Sequence, residues 1–153
     1  MRYISTSDRK YYSQLLDFFE AVQKDTSKYK WLITDIEATP SSKNLSDLFS
    51  QSEALILSTD KLVEYLDKED FQWIWVVFSA IPKSFTDEEI LKYQLPYAKD
   101  NDKIYKDKEG IIQHPLAEIE MVAEDSSSLL LVTDKVEILE VFKKIYPESR
   151  GSY

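Results

Sequence analysis

The sequence predicts a single α+β domain over residues 1–153, with a mixed sheet of about five strands and helices packed mainly on one side. The first observation is the order of segments, in which helical and strand patterns alternate before a late antiparallel hairpin. The second is one strongly apolar segment, Phe71–Pro82. The third is a length of 153 residues with 43% hydrophobic residues, which suits one domain with a sizeable core.

The segment Phe71–Pro82 is expected to be the central strand of the sheet. β-branched and aromatic residues occupy both faces of its alternation, as in a strand covered by layers above and below. Pro82 lacks a backbone donor and is expected to end the strand. A membrane span needs about 20 apolar residues, so this run is too short to be one.

The N-terminal half predicts two helices and two strands. Ser5 or Ser7 is expected to cap a first helix, whose apolar residues recur at helical spacing. These residues are Tyr12, Leu15, Leu16, Phe19 and Val22. A strand is predicted at Trp31–Ala38, a short helix at Leu45–Phe49 and a small strand at Ala54–Leu57.

Two capped helices flank the central strand. Thr59 or Asp60 is expected to cap the helix before it, and Thr86 with Glu89 has the spacing of a capping box for a short helix after it. The long charged stretch Tyr97–Gly110 follows. Loops of this length in a compact domain are usually functional or mobile.

The C-terminal part predicts a hairpin and a final helix. Leu116–Ala123 alternates, so we expect a half-buried strand with Glu118 and Glu120 on its solvent face. A polar turn leads to a strand at Leu129–Val132, and the final helix buries one apolar face. That face consists of Ile138, Leu139, Phe142, Ile145 and Tyr146. The tail Glu148–Tyr153 is expected to be frayed.

The charge of the chain restricts its partners. With 28 acidic and 19 basic residues, the net charge of −9 disfavours nucleic acid and anionic membranes and favours a basic protein partner. Between Lys108 and Lys135 there is no Lys or Arg. The acidic residues of this interval are Glu109, Glu118, Glu120, Glu124, Asp125 and Asp134.

Several classes of site lack their characteristic residues. The chain has no Cys and a single histidine, His114, which argues against a zinc-type metal site and favours a loop histidine. Two glycines are too few for a glycine-rich phosphate loop. We therefore expect no catalytic residues, metal or cofactor. The first residues turn polar without an apolar signal segment, which predicts a cytoplasmic protein.

One short motif suggests chemistry. Asp35 and Glu37 end an apolar strand within Leu32–Thr39, and this segment resembles the first carboxylate motif of the DEDD exonucleases. The resemblance implies a metal-dependent nuclease that would use both carboxylates. The later Asp and His or Tyr positions of that family have no counterpart here. The alternative is a strand end whose charges face water.

A second candidate is a partner-binding surface built from tyrosines and carboxylates. Tyrosine supplies rigid contact area, and clustered carboxylates attract a cationic partner. The predicted residues are Tyr97, Tyr105, Glu118, Glu120, Glu124 and Asp125. The alternative is an ordinary solvated hairpin face.

In its small size, acidity, lack of Cys and segments Trp31–Ile33 and Ala80–Pro82, the chain resembles small uncharacterised bacterial families that include toxin-immunity proteins. The resemblance implies a non-enzymatic immunity or inhibitor protein that neutralises a basic toxin by occluding its active site. The alternative is a structural or regulatory homodimer that uses an edge of the sheet. The expected protein is thus a monomer or a homodimer.

Overall fold

The computed structural model describes residues 3–7, 14–50, 52–105 and 110–152, of which residues 3–7, 105 and 152 are described by their backbone alone. The strands are β1 Tyr3–Ser7, β2 Tyr29–Ala38, β3 Ala54–Ser58, β4 Trp73–Pro82, β5 Ile119–Glu124, β6 Ser128–Thr133 and β7 Arg150–Ser152. The helices are α1 Leu16–Ala21, α2 Lys43–Ser50, α3 Thr59–Lys68, α4 Asp87–Ile90 and α5 Val136–Ile145, with one 3₁₀ turn at Asp102–Tyr105.

The described strands form one sheet in the order β3-β2-β4-β5-β6-β1-β7. The α+β class is confirmed, and β4 lies inside the sheet between β2 and β5, as expected for the central strand. Every pair is antiparallel, whereas a mixed sheet was expected. The reason is that the helical connection from β3 to β4 crosses β2, so these two strands never pair with each other.

The two terminal strands correct two predictions. Tyr3–Ser7 forms β1, so Ser5 and Ser7 do not cap a helix; Tyr12 lies outside the described residues. Arg150–Ser152, part of the tail expected to be frayed, forms β7. Ser5 lies opposite Leu131 on one side and Gly151 on the other. These long-range pairings decide the conformation of both ends of the chain.

The principal core lies between one face of the sheet and helices α1, α2, α3 and α5. Its centre is aromatic: the ring of Phe19 lies 5.3 Å from that of Trp31 and 5.0 Å from that of Phe78, in edge-to-face arrangements. Such pairs add about 0.5–1.5 kcal/mol beyond the burial of their area. The prediction that the helices pack mainly on one side is confirmed.

Helix α3 begins differently from the prediction. The Ser58 side chain accepts the cap hydrogen bond from the Lys61 backbone N–H, at 3.1 Å. Thr59 is buried, and its hydroxyl oxygen accepts a hydrogen bond of 2.8 Å from Trp31 Nε1. A buried indole N–H usually finds such a partner. The Thr59 hydroxyl therefore pairs with a tryptophan of the core, and Ser58 caps the helix.

The opposite face of the sheet is covered by the long connection between β4 and β5. We call residues 83–105 and 110–118 the covering layer. Within it, Thr86 and Glu89 form the predicted capping box at the start of α4. Two small apolar clusters join the layer to the sheet, one through Ile112 and the other through Ile90. Strand β5 is consequently buried on both faces, whereas a half-buried strand was expected.

Candidate functional site

The covering layer is fastened to the sheet by polar contacts as well as by apolar packing. Thr34 Oγ1 donates a hydrogen bond of 2.7 Å to the carbonyl oxygen of Pro96. Asp35 Oδ2 accepts hydrogen bonds from the backbone N–H of Ala98, at 2.7 Å, and of Lys99, at 2.8 Å. Because a carboxylate forms stronger hydrogen bonds than a neutral acceptor, Asp35 is a principal anchor of this layer.

The covering layer carries most of the large hydrophobic side chains that are exposed in the described part of the chain. Among the described residues, five large hydrophobic side chains are classed as exposed, and four of them belong to this layer. Leu91 is 49% exposed, Tyr93 42%, Tyr97 39% and Ile111 60%. The fifth, Val136, lies on α5. We call the four residues of the layer the apolar surface.

A cleft of about 630 Å³ opens beside two residues of the apolar surface, Tyr97 and Ile111. It is lined by Gln94, Leu95, Pro96, Tyr97, Asn101, Lys103, Ile104, Ile111 and Gln113. Its volume falls within the range of about 300–1,000 Å³ of ligand pockets. Aliphatic groups, side-chain amides and one ammonium group therefore face the same space.

Gln113 connects this cleft to the buried face of β5. Its side chain accepts a hydrogen bond of 3.0 Å from the Tyr97 backbone N–H and donates one of 3.1 Å to the Tyr97 carbonyl oxygen. Its own backbone N–H donates to Glu120 Oε2, at 2.8 Å. Sequence reasoning did not identify Gln113, because an isolated glutamine in a loop carries no pattern that indicates such a role.

The residues of the predicted partner-binding surface lie in different places. Tyr97 lines the cleft, whereas the side chain of Tyr105 lies outside the described atoms. Glu120 is 1% exposed, so the expectation that it lies on a solvent face is wrong. Glu124 and Asp125 lie at the β5–β6 turn, six residues or about 20 Å along the strand from Glu118. The four acidic residues do not form one continuous patch.

Glu118 belongs to a polar cluster at the other end of β5. Its Oε1 accepts a hydrogen bond of 3.0 Å from Tyr29 Oη and lies 3.0 Å from Lys135 Nζ. Partial burial acts to raise the pKa of Glu118, but the hydrogen bonds from Lys135 and Tyr29 outweigh burial, and the pKa is lowered. Burial raises the pKa of Tyr29, and the neighbouring Glu118 carboxylate raises it further.

The motif at Asp35 and Glu37 lies at an irregularity of strand β2. The register with β4 shifts between Thr34 and Glu37, and Asp35 has a φ of 51°. Glu37 is exposed, and its carboxylate lies 3.8 Å from Lys99 Nζ. Within the ranges that the structure describes, no group of three or more His, Asp or Glu side chains could hold a metal ion. The Asp35 carboxylate anchors the covering layer.

His114 lies in a loop, as predicted, and its side chain is buried within the covering layer. Its Nδ1 accepts a hydrogen bond of 3.1 Å from the Leu116 backbone N–H. Nε2 lies 2.9 Å from the Ile90 carbonyl oxygen and therefore carries the proton. The Tyr93 ring packs edge-on against the imidazole, 5.1 Å between centroids. His114 thus supports the backbone beneath Tyr93.

No helix in the described part of the chain is long and apolar enough to cross a membrane. Comparisons with known proteins give no match to a protein-family model, to a curated protein or to a solved structure.

Proposed function

We propose that this chain is a non-enzymatic, acidic protein-binding domain that engages a basic protein partner. The observation that carries the proposal is that, among the described residues, four of the five exposed large hydrophobic side chains belong to the covering layer, and two of these, Tyr97 and Ile111, line a cleft. Isolated exposed hydrophobic residues are ordinary, but a cluster of them beside a concavity is typical of interaction sites.

The composition of the apolar surface suits a protein partner. Tyr93 and Tyr97 supply two aromatic side chains, and the cleft beside Ile111 offers a recess for an apolar side chain of the partner. Binding energy in protein interfaces concentrates in a few such anchors, with aromatic residues enriched among them. The rigid attachment of the layer to the sheet also limits the conformational entropy lost on binding.

The charge of the chain supports a basic partner. The net charge of −9 attracts cationic proteins over a distance of about 10 Å at an ionic strength of 0.1 M. Among the described residues of the covering layer, exposed acidic residues outnumber exposed Lys residues by five to four. The acidic residues are Asp87, Glu88, Glu89, Asp100 and Asp102, and the Lys residues outside the range 106–109 are Lys83, Lys92, Lys99 and Lys103. The apolar surface would provide contact area, and the acidic groups would speed association.

In its most specific form, the proposal is that of a cytoplasmic bacterial immunity or inhibitor protein, which covers the active site of a basic toxin. The resemblance of the sequence to such families supports this form. A nuclease that uses Asp35 and Glu37 is the competing enzymatic proposal, and a structural or regulatory protein that works as a homodimer without a basic partner is the competing structural one.

The experiment is a capture of partners from a native lysate by the tagged protein and two matched variants. In Ile111→Glu a charge is placed at the rim of the cleft, and in Val136→Glu the same change is made at the exposed hydrophobic residue on α5. We expect one basic protein to be retained by the wild type and by Val136→Glu. Ile111→Glu should weaken its affinity at least about tenfold, or 1.4 kcal/mol.

The salt dependence of binding tests whether the partner is attracted by its positive charge. Retention of the basic partner should fall as ionic strength rises, because charge attraction is screened. Equal retention by Ile111→Glu and Val136→Glu would contradict the assignment of the apolar surface. A retained partner of acidic or neutral charge, or one insensitive to salt, would contradict the electrostatic part.

A further inference from the structure

Strand β3 forms one edge of the sheet and pairs only with β2 in the described part of the chain. Its sequence is Ala-Leu-Ile-Leu-Ser, and all five residues are half-buried. Natural sheets usually protect an edge with a charge, a proline or a bulge, because the outer backbone groups can pair with another strand. The residues 54–58 contain no charge and no proline, and their pairing with β2 is regular.

The two faces of β3 both continue an apolar layer. Leu55 and Leu57 pack against the principal core, whereas Ala54 and Ile56 pack against the smaller cluster beneath the covering layer. Each of these side chains stays partly exposed. A strand added beyond β3 would therefore extend both cores, in addition to completing the backbone hydrogen bonds of the edge.

We propose that β3 is a self-pairing interface, at which two copies of the chain join antiparallel about a two-fold axis at Ile56. Strand β3 has nearly the same sequence in both directions. It has a small residue at each end, a leucine next to each of these, and Ile56 at the centre. In this register Ile56 faces Ile56 of the partner subunit, and Leu55 faces Leu57 of the partner subunit. An isologous interface requires this kind of self-complementarity.

The flanking charges agree with this register. Two copies that each carry a net charge of −9 repel one another, so an interface between them must avoid opposed carboxylates. With the axis at Ile56, the ladder runs from Ala54 to Ser58 in both subunits and contains no charged side chain, and Glu53 and Asp60 lie outside it. Moving the axis by one residue would place Glu53 against a leucine or would press Leu55 against the start of α3.

The interface is separate from the apolar surface and does not rest on the proposed function. Its occupant is a second copy because of the reversed-sequence symmetry, which an unrelated strand would not require. A dimer formed in this way would keep both covering layers accessible, since β3 lies at the edge and the layer lies on a face.

The absence of Cys from the chain permits a direct test by single-cysteine cross-linking. Directly opposed residues in an antiparallel pair have Cα atoms about 4.5–5.5 Å apart, within the range that a disulfide spans. We expect Ile56→Cys to form a disulfide-linked dimer under mild oxidation at least about tenfold faster than Val136→Cys, because pairing raises the local thiol concentration. Wild-type sedimentation velocity should show a concentration-dependent shift from monomer to dimer.

The register between the two β3 strands is tested by a separate cross-linking measurement. A mixture of Leu55→Cys and Leu57→Cys should cross-link faster than either variant alone, since residues displaced along the pair lie about 7–8 Å apart and beyond easy reach. Circular dichroism checks the fold of each variant. A wild type that sediments as a monomer throughout the micromolar range would overturn the proposal. So would cross-linking of Ile56→Cys no faster than that of Val136→Cys, with the mixed pair equally slow.

Discussion

Asp35 Oδ2 lies 2.7 Å from the backbone nitrogen of Ala98, and this contact joins the sheet to the layer that covers it. The same oxygen accepts the N–H of Lys99. Asp35 has a φ of 51°, a conformation that is costly for most residues but tolerated by Asp and Asn. The irregularity in β2 thus directs a carboxylate toward two backbone donors that would otherwise need another partner.

We expect Asp35→Ala to lower the free energy of unfolding by about 2–3 kcal/mol, because two hydrogen bonds to a charged acceptor are lost and Ala suits a positive φ poorly. Asp35→Asn should cost less, since Asn keeps an acceptor and tolerates the backbone conformation. Urea denaturation measures both values, and hydrogen exchange should show faster exchange at Ala98 and Lys99. Wild-type stability in both variants would contradict the anchoring role.

The same geometry predicts the response to divalent cations. Asp35 Oδ2 already accepts two backbone N–H groups, and Glu37 faces the Lys99 ammonium. We therefore expect Mg²⁺ or Mn²⁺ at millimolar concentration to leave the melting temperature unchanged, because a ligand stabilises a protein only by binding its folded state. A clear rise in melting temperature that Asp35→Ala abolishes would instead support the nuclease alternative.

Local signals in the sequence predicted local structure well. The apolar run of β4 and the capping box of Thr86 and Glu89 depend on neighbouring residues, and both are present. Strands β1 and β7 depend on partners far along the chain, as in the pairing of Ser5 with Leu131. No short window contains that information, so the sheet edge beyond β6 was not predicted.

The candidate site, too, depends on contacts between residues that are far apart in the sequence. Alternation in β5 correctly placed Glu120 on the face opposite Ile119 and Met121. An alternating strand looks the same whether its polar face meets water or a covering layer with its own hydrogen-bond donors. Only the tertiary structure shows that Gln113 satisfies the Glu120 carboxylate. Alternation thus predicted the face on which Glu120 lies but not the layer that covers that face.

Burial of Glu120 predicts that charge reversal there damages the fold. Glu120→Lys would place an ammonium group where Gln113 donates hydrogen bonds, and a buried charge that has lost its partners costs about 3–5 kcal/mol. Asp134→Lys makes the same charge change at an exposed position of the same acidic segment. Its effect should stay within about 0.5 kcal/mol. Equal stability of the two variants in chemical denaturation would contradict the burial of Glu120.

The raised pKa of Tyr29 predicts a loss of stability at alkaline pH. Its pKa in the folded protein is raised above the ordinary value of 10.0 by burial and by Glu118. Below pH 10 the phenol is protonated in both states and its stabilising contribution is complete. Above pH 10 the unfolded chain ionises first, so stability falls by up to about 1.4 kcal/mol per pH unit until the folded pKa is reached.

The measurement is the free energy of unfolding between pH 9 and pH 11.5, compared among three proteins. Tyr29→Phe removes the titrating group and should show a shallower fall than the wild type. Glu118→Gln removes the neighbouring charge but leaves the burial of Tyr29, so its stability should begin to fall at the same pH as that of the wild type and level off at a lower pH. A Tyr29→Phe curve parallel to that of the wild type would show that Tyr29 ionises equally easily in both states.

The hydrogen bonds of His114 predict a single tautomer of its imidazole. The Leu116 backbone N–H donates to Nδ1, so the proton must reside on Nε2, which donates to the Ile90 carbonyl oxygen. Because His114 is the one histidine of the chain, its ring nitrogens are assigned without ambiguity in a long-range ¹H–¹⁵N spectrum at neutral pH. We expect the nitrogen shifts of the Nε2–H form.

Removal of the imidazole tests whether these hydrogen bonds hold the covering layer. His114→Ala should lower the free energy of unfolding by about 2–4 kcal/mol, since a buried ring is lost and the Leu116 N–H and Ile90 carbonyl lose their partner. The layer above it should loosen as well, because Tyr93 packs against the ring. If the imidazole organises the apolar surface, the variant should also bind the partner more weakly, whereas Val136→Glu should not. An Nδ1–H tautomer or an unchanged stability would contradict this arrangement.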